Sequence, residues 1–317
     1  MRALQVRPEG LVYADAPEPV IGPADVLVQV EAAGLNYLNT NAFLNAKPED
    51  MPMPIGGEAG GMVVAAGAEV TDIRVDQAVC FRDARGAFAE LVAIPAARVV
   101  PVPEGFDLRL ASGLISNGLS AHYLTTSAYA VQPGHTVLVP AAAGGVGRMI
   151  AQLAKNRGAR VLGTVSSTAK AAAAREAGVD ETINYAESDF EAEAMRLTNG
   201  EGLNAVYDSV GATTFFKGLK LLRTRGTMVS FGETSGPVPP FDIRLLAPNS
   251  LTLIRCGLMA YIATTDALRS RAADIFRWVQ EGSLTVHYHA EYPMAEAKRA
   301  FDTLRNRETI GKVLLIP

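Results

Sequence analysis

The sequence predicts an α/β protein in which a doubly wound parallel sheet occupies the middle of the chain and β-rich segments occupy its ends. Between about residues 112 and 251, short apolar strands alternate with helical segments, an order typical of a doubly wound parallel sheet. Residues 1 to about 110 contain instead short strands separated by Pro and Gly. The last stretch is interpreted as returning to the first domain. The predicted domains are therefore residues 1–113 with 252–317, and residues 114–251.

The two ends of the chain supply the strands of the first domain. Asp25–Glu31 alternates apolar and polar side chains as a half-buried strand does, and residues 60–64 and 88–93 look similar. After residue 251 the sequence predicts a helix over 266–281, a strand-like segment over 284–287, a helix over 294–305 and a terminal strand over 313–316.

The middle domain opens with the short apolar strand His135–Pro140. A helix is predicted from Gly147 to Gly158, because Ile150, Leu153 and Ala154 fall on one of its faces. The remaining elements follow in chain order: a strand at 160–165, an alanine-rich helix at 169–177 ended by Gly178, and strands at 181–185, 205–208 and 226–231.

The composition limits the classes of function. Of the 317 residues, 49% are apolar and 20% charged, so the chain can bury a core and is not disordered. A net charge of −4 argues against a nucleic-acid partner. No apolar run is long enough for a bilayer, and the charged start predicts no signal peptide. The two cysteines are far apart, which fits the cytoplasm better than a disulfide framework.

The strongest motif is the glycine loop at residues 141–147, Ala-Ala-Ala-Gly-Gly-Val-Gly. Ala142-x-Gly144-x-x-Gly147 is a dinucleotide fingerprint with Ala in its first place, and it follows a strand and opens a helix. Gly144 lets the backbone approach a pyrophosphate, and Gly147 lets helix and strand pack closely. The helix N-terminus offers free N–H groups to the phosphates. The alternative is a glycine turn without a ligand.

The segment after the second strand predicts NADPH rather than NADH. An NAD site usually carries Asp or Glu about 20 residues after the glycine loop, to hold the ribose 2′-hydroxyl. No acidic residue occurs between Gly147 and Arg175. Ser166 and Ser167 can donate hydrogen bonds to a 2′-phosphate, and Lys170 supplies a positive charge. The alternative for Lys170 is a solvated helix residue.

Motifs spread along nearly the whole chain resemble the zinc-independent quinone oxidoreductases of the medium-chain dehydrogenase/reductase superfamily, the group that includes zeta-crystallin. The matching segments are residues 34–37, 56–61, 86–90, 141–147, 163–165, 183–185, 206–211, 229–232 with 235–236, and the terminal Leu-Leu-Ile-Pro. The resemblance implies a Rossmann domain inserted into a GroES-like catalytic domain, a homodimer, and NADPH-dependent reduction of quinones or α,β-unsaturated carbonyl compounds.

The resemblance also implies roles for individual residues. Lys170 and Tyr185 would hold the 2′-phosphate end, Phe231-Gly232 would line the nicotinamide side, and Asn36 would face nicotinamide and substrate. Asp208 ends a strand at the ligand-binding edge of the sheet, although a role as helix N-cap fits it equally well. The predicted cofactor-binding residues are Asn117, Ser120, Ala143, Gly144, Gly145, Val146, Gly147, Ser166, Ser167, Lys170, Tyr185, Asp208, Phe231 and Gly232.

No metal site is expected. Zinc-dependent relatives carry a Cys and a His in the first domain and a lobe of four cysteines, whereas here Gly57 stands in the place of that His and the stretch after Gly34 has no Cys. His287 and His289 would share one face of a strand, but no third ligand is evident.

Hydride transfer without a metal favours an acceptor that spreads the developing charge by conjugation, which a quinone, enone or enal does. The candidate hydrogen-bond donors are Asn36, Tyr37 and Asn41, although Asn41 could be a polar turn residue and Tyr37 a packed ring. Many relatives carry Tyr and Arg near Asn41 and Lys-Gly-Leu-Thr where this chain has Asn117-Gly-Leu-Ser120. The loss of those groups predicts a less polar pocket that favours neutral enones or enals.

Two other functions stay open on the sequence. One is a zinc-independent NADP alcohol dehydrogenase, and the other is a non-catalytic NADPH-binding protein. Alcohol-driven reduction of NADP⁺ and a turnover test with an artificial acceptor would distinguish them.

Overall fold

A computed structural model describes all residues from Met1 to Pro317. The chain divides into two compact units. The first unit comprises Met1–Gly118, Ile262–Phe276 and Val286–Pro317, and the second comprises Leu119–Tyr261 and Arg277–Thr285.

The secondary structure consists of strands β1–β16 and helices α1–α9. The strands are β1 Arg2–Arg7, β2 Gly10–Asp15, β3 Asp25–Leu35, β4 Met53–Pro54, β5 Glu58–Ala66, β6 Ala78–Arg82, β7 Leu91–Pro95, β8 Val99–Pro101, β9 Thr136–Val139, β10 Arg160–Val165, β11 Glu181–Asn184, β12 Leu203–Asp208, β13 Leu222–Ser230, β14 Thr252–Arg255, β15 Tyr288–Pro293 and β16 Lys312–Ile316. The helices are α1 Tyr37–Leu44, α2 Leu108–Tyr123, α3 Gly145–Asn156, α4 Thr168–Glu176, α5 Phe190–Leu197, α6 Phe215–Lys220, α7 Leu258–Tyr261, α8 Thr265–Gln280 and α9 Ala297–Arg305. Short 3₁₀ helices form at Pro48–Asp50, Ala96–Arg98, Ile243–Leu246 and Met294–Glu296, and Leu124–Ala128 is π-helical.

The first unit is built around a mostly antiparallel seven-stranded sheet that joins both ends of the chain. Its order is β15-β16-β3-β5-β6-β8, with β7 also paired to β3, and a small sheet β2-β1-β4 accompanies it. On β3 the side chains of Val26, Val28 and Val30 are buried while Gln29 is exposed, as the predicted alternation requires. Phe301 on α9 lies in the core of this unit, edge-on to Phe88 at 6.3 Å.

The second unit contains the predicted doubly wound parallel sheet. Its strand order is β11-β10-β9-β12-β13-β14, and every neighbouring pair is parallel. The order therefore reverses between β9 and β12, the position where such folds bind ligands. On α3 the side chains of Ile150, Leu153 and Ala154 are buried, which confirms the predicted helical face.

Three expectations differ from the structure. The boundary predicted at residue 251 lies too early, because Thr252–Arg255 pairs with β13 as the sixth strand of the second unit. The strand predicted at 284–287 is wrong: β15 begins at Tyr288, where pairing with β16 starts, so His287 precedes the strand. The strand predicted at 88–93 begins only at Leu91.

Candidate functional site

The glycine loop joins β9 to α3 in the second unit, and backbone atoms leave no room for a side chain at Gly147. A Cβ atom on Gly147 would lie 2.5 Å from the carbonyl oxygen of Ala141 and 3.1 Å from Cα of Ala142. Ala141 itself adopts a left-handed conformation with φ of 54°. Gly144 is the N-cap of α3, and no side chain caps the helix. The N–H groups of the first turn, at Gly145, Val146 and Gly147, are therefore suited to an anion such as a pyrophosphate.

The residues predicted to hold the 2′-phosphate come together at the carboxyl end of β10. Ser166 and Ser167 follow this strand and are half-buried, as is Lys170 in the first turn of α4. The Ser167 hydroxyl oxygen accepts a hydrogen bond from the backbone N–H of Lys170 at 3.3 Å, which leaves its own hydrogen available for donation.

Tyr185 lies beside this segment because β11 pairs with β10. Its backbone N–H donates to the carbonyl of Val165 at 3.1 Å, next to Ser166, and its side chain is 43% exposed. The structure thus brings two hydroxyl groups, one ammonium and one phenol ring to one edge of the sheet. This set of donors fits a phosphomonoester, and no carboxylate in the segment opposes it.

Asp208 ends β12 and is fully buried. Its Oδ1 accepts hydrogen bonds from the N–H groups of Val210 and Gly211 at 3.0 and 3.3 Å and from the Thr214 hydroxyl at 2.7 Å. Burial raises the pKa of this carboxyl. Asp208 therefore organises the loop before α6, but the N-cap of α6 is Thr214, so the alternative role of Asp208 as helix N-cap is wrong. Direct contact with a cofactor stays a prediction.

The backbone of Asp208 also fixes the neighbouring loop. Its carbonyl accepts hydrogen bonds from the N–H groups of Phe231 and Gly232 at 2.9 and 3.3 Å. A Cβ atom on Gly232 would lie 2.4 Å from the carbonyl oxygen of Ser209. Only glycine allows the loops after β12 and β13 to approach so closely. The structure thus sets Phe231 and Gly232 beside the end of β12, as a ligand-lining role requires.

Asn117 and Ser120 lie three residues apart on one face of α2. Asn117 is 5% exposed, and Ser120 is half-buried. Helix α2 was not predicted from the sequence, so the structure adds the helical element on which both residues lie.

Asn36, Tyr37 and Asn41 lie at or within α1 of the first unit, and all three are half-buried. Asn36 is the N-cap of the helix. Its side-chain Nδ2 donates to Glu58 Oε2 at 2.7 Å and to the carbonyl of Gly34 at 3.3 Å. Both amide hydrogens are therefore engaged within the protein, and the geometry does not support the predicted role of Asn36 as a donor to substrate.

Glu58 and Lys312 are functional candidates that were not predicted from the sequence. Lys312 Nζ donates to Glu58 Oε2 at 2.5 Å and to Asn36 Oδ1 at 2.7 Å, and Glu58 Oε1 accepts from the backbone N–H of Ser116 at 2.7 Å. These residues lie far apart in sequence, so no local pattern connects them. The one available signal is that both are charged residues within otherwise apolar strands, Glu58 in β5 and Lys312 in β16.

No group of three or more His, Cys, Asp or Glu side chains in the chain is placed to hold a metal ion. Gly57, which stands in the place of a zinc-binding His of relatives, has open space around it, because a Cβ atom there would lie no closer than 3.9 Å to any other group, the nearest being the Nδ2 atom of Asn39. His287 and His289 are exposed, and only His289 belongs to β15.

Burial raises the pKa of the Cys80 and Cys256 thiols, which disfavours a nucleophilic thiolate at either position. None of the helices is both apolar enough and long enough to cross a membrane.

The chain is similar to proteins of known family along its whole length. Residues 22–104 match the family model described as alcohol dehydrogenase GroES-like domain, and residues 145–273 match that described as zinc-binding dehydrogenase. The quinone oxidoreductase of Pseudomonas aeruginosa is 36% identical, over 98% of this chain and 96% of that protein. The 2-haloacrylate reductase of a Burkholderia species is 33% identical, over 98% and 96%. A mycobacterial protein solved in complex with NADPH superposes with a TM-score of 0.95 at 39% identity, covering 100% of both chains.

Proposed function

Because this chain belongs to the quinone oxidoreductase family of medium-chain dehydrogenases/reductases, we propose that it is an NADPH-dependent reductase that transfers hydride to a quinone or an α,β-unsaturated carbonyl compound. The observation that carries this proposal is the glycine loop before α3, a helix that no side chain caps. Ser166, Ser167 and Lys170 follow it in the chain, with no acidic residue among them. NADPH supplies the hydride when bound. The protein contributes binding, orientation and electrostatic stabilisation.

The second unit would hold the cofactor at three points. The N–H groups of Gly145, Val146 and Gly147 bind the pyrophosphate, and Lys170 with its neighbouring hydroxyl groups binds the 2′-phosphate. Phe231-Gly232 line the nicotinamide side, on the loop that Asp208 fixes. Tyr37 and Asn41 stay candidate hydrogen-bond donors to the acceptor.

The acceptor class follows from the side chains that are present. The stretch after Gly34 has no Cys, and Gly57 stands where zinc-dependent relatives have a His, so the protein carries no side-chain set to hold a Lewis acid at that position. A conjugated acceptor delocalises the charge that hydride addition creates, and hydrogen bonds then suffice to stabilise it. Because Asn117 replaces a lysine of many relatives, we propose a preference for neutral enones and enals over charged acceptors.

Steady-state oxidation of NADPH against a panel of quinones, enones, enals, charged unsaturated acids and simple aldehydes tests this proposal. We expect turnover with the conjugated neutral compounds and kcat/KM values at least tenfold lower with the charged acids. Turnover with simple aldehydes or alcohols alone would indicate an alcohol dehydrogenase, and no turnover with any acceptor, despite binding of NADPH, would indicate a non-catalytic protein.

We further propose a cytoplasmic homodimer. Strand β14 is an edge strand of the six-stranded sheet, with one side open to pairing, and edge strands readily pair with a second copy. Ile243 and Leu245 on the preceding 3₁₀ helix are 74% and 49% exposed, and large apolar side chains on a surface are typical of one that a second protomer covers. The two free, buried cysteines are consistent with a reducing compartment.

A further inference from the structure

Glu58 and Lys312 form an ion pair that is closed to solvent within the first unit. Their side chains are 1% and 2% exposed, and Nζ of Lys312 lies 2.5 Å from Oε2 of Glu58. Gly34 makes room for them, because a Cβ atom there would lie 2.4 Å from Glu58 Oε2 and 2.7 Å from Lys312 Cε. A buried ion pair loses its hydration, and apolar residues of similar volume often serve stability equally well. Fold stability alone therefore does not account for two charges at this place.

The pair fixes the orientation of one side-chain amide. The Oδ1 atom of Asn36 accepts from the Lys312 ammonium at 2.7 Å, while its Nδ2 donates to the Glu58 carboxylate at 2.7 Å. A flip of the amide would place NH₂ against the ammonium and oxygen against the carboxylate, so the charges permit one orientation. Oδ1 also accepts from the backbone N–H of Asn39 in the capping arrangement that starts α1, so every hydrogen-bonding group of this amide is engaged within the protein.

The same pair anchors two helices that carry candidate site residues. Asn36 is the N-cap of α1, its backbone N–H donates to Asn39 Oδ1 at 2.8 Å, and Tyr37 follows it directly. Glu58 Oε1 accepts from the N–H of Ser116, the residue before Asn117 on α2. One carboxylate thus links the start of α1 to the middle of α2.

We propose that Glu58 and Lys312 are positioning residues of the reductase, an inference that rests on the function proposed above. They act through Asn36, whose amide they hold in one orientation, and through the start of α1, which they fix at Tyr37. Neither residue touches substrate. Loss of the pair lowers kcat, because misplacement of orienting groups by about 1 Å can cost on the order of 100-fold in rate.

The decisive variant removes both charges at once, as Glu58→Gln/Lys312→Met. Removing one partner leaves a buried charge uncompensated and destabilises the fold, whereas removing both avoids this. We expect the double variant to melt within a few degrees of the wild type and to keep the wild-type KM for NADPH within about twofold, while kcat falls at least tenfold. Lys312→Arg, which preserves the charge, should retain more activity than Lys312→Met. A double variant with wild-type kcat would overturn the proposal.

A second variant tests the proposal even if the double variant does not fold. Asn36→Ala leaves the ion pair intact and removes the amide that the pair orients. We expect a loss of kcat of at least tenfold, with little change in melting temperature or in the KM for NADPH. A wild-type kcat in Asn36→Ala would show that the pair does not act through Asn36.

A readout that does not depend on turnover separates this inference from the proposed function. The side-chain ¹⁵N amide resonance of Asn36, assigned by its disappearance in Asn36→Ala, should exchange slowly with solvent in the wild type, because both hydrogens are bonded. In the double variant it should shift and exchange faster. If the wild type turns over none of the acceptors in the panel but shows this signature, the proposed function fails while the inference about the Asn36 amide stands. Rapid exchange in the wild type overturns the inference.

Discussion

At the scale of single residues, the dinucleotide loop depends on close backbone contacts that exclude a side chain. The first turn of α3 approaches the loop so closely that the Cβ position of Gly147 is filled by backbone atoms of Ala141 and Ala142. Backbone atoms cannot move away from an added side chain as the end of a flexible side chain can. The position of the whole loop therefore depends on residue 147 being a glycine.

We predict that Gly147→Ala raises the KM for NADPH about tenfold or more, which corresponds to about 1.4 kcal/mol of binding free energy. The added Cβ, 2.5 Å from the carbonyl oxygen of Ala141, must push α3 away from the loop. Gly257→Ala is the matched control, since a Cβ atom there meets nothing within 4 Å. Steady-state kinetics with a saturating quinone measures both variants, and equal KM values for the two would refute the prediction.

We predict that Lys170→Ala lowers the ratio of kcat/KM for NADPH to that for NADH by tenfold or more. The ammonium group is the one full positive charge in the Ser166–Lys170 segment, and only NADPH carries the 2′-phosphate that it would bind. Lys220→Ala provides the control, because Lys220 in the same unit is exposed and pairs with Glu191 at 3.5 Å. An unchanged cofactor ratio in Lys170→Ala would contradict the assignment.

Burial lowers the pKa of Lys312 below its ordinary value of 10.5, although the negative charge of Glu58 opposes this shift and the nearby Arg82 adds to it. Tyr288 and Cys80 also face Glu58, and burial raises the pKa of both, so they stay neutral as the pH rises. The positioning role needs the ammonium form, which is lost as the pH rises through the lowered pKa.

We therefore predict that kcat declines on the alkaline side at a pH below 10.5. In Lys312→Arg the decline should move to higher pH, because a guanidinium keeps its proton. Initial rates measured immediately after a jump from neutral pH separate this effect from unfolding. Coincident alkaline limbs in the two proteins would assign the decline to another group.

At the scale of elements, helix α1, which carries the candidate substrate residues, buries polar side chains and exposes apolar ones. The buried residues of α1 are the polar Asn39 and Thr40, while Leu38 and Leu44 are 68% and 55% exposed. A periodicity of apolar residues cannot reveal such a helix. Its start is fixed instead by the reciprocal hydrogen bonds between Asn36 and Asn39, a capping arrangement built from two asparagines.

The edge strand β14 leads to a prediction at the same scale. Ile243→Glu places a charge on the exposed 3₁₀ helix that precedes this strand in the chain, and we expect it to convert a dimer into a monomer. Val20→Glu is the control, because Val20 is 92% exposed but belongs to the first unit. Light scattering coupled to size-exclusion chromatography gives the masses. A dimeric Ile243→Glu would place the interface elsewhere, and a monomeric wild type would remove the proposal.

At the scale of the whole molecule, the chain builds two cores. Both chain ends contribute strands to the first unit, and the doubly wound sheet is inserted between them. An inserted domain keeps its own hydrophobic core, and here Leu138, Val206 and Met228 lie in that of the second unit. A ligand that binds the folded second unit should therefore raise the melting temperature of that unit.

We predict that NADPH raises the melting temperature more than NADH does at equal concentration. A ligand present at about 100 times its Kd stabilises the folded state by about 2.7 kcal/mol. In Lys170→Ala the difference between the two cofactors should shrink to near zero, whereas in Lys220→Ala it should persist. Equal shifts by both cofactors in the wild type would contradict the predicted NADPH preference, and this result requires no substrate.

Local patterns in the amino-acid sequence were enough to predict several features of the fold. The alternation of strands and helices predicted the parallel sheet, the glycine loop predicted its ligand-binding turn, and the spacing of Ile150, Leu153 and Ala154 predicted the buried face of α3. Each of these signals lies within about one element of the chain, where side-chain periodicity and backbone sterics act directly.

Which polar residues contact one another depends on how distant strands pair. Lys312 and Glu58 are 254 positions apart, and Lys312 and Asn36 are 276 apart, so their contact depends on the pairing of β16 with β3 and of β3 with β5. The same pairing leaves Asn36 without a free amide hydrogen for a substrate, because one hydrogen is donated to Glu58 and the other to the carbonyl of Gly34. The glycine loop could be located from the sequence, but the partners of Asn36 could not.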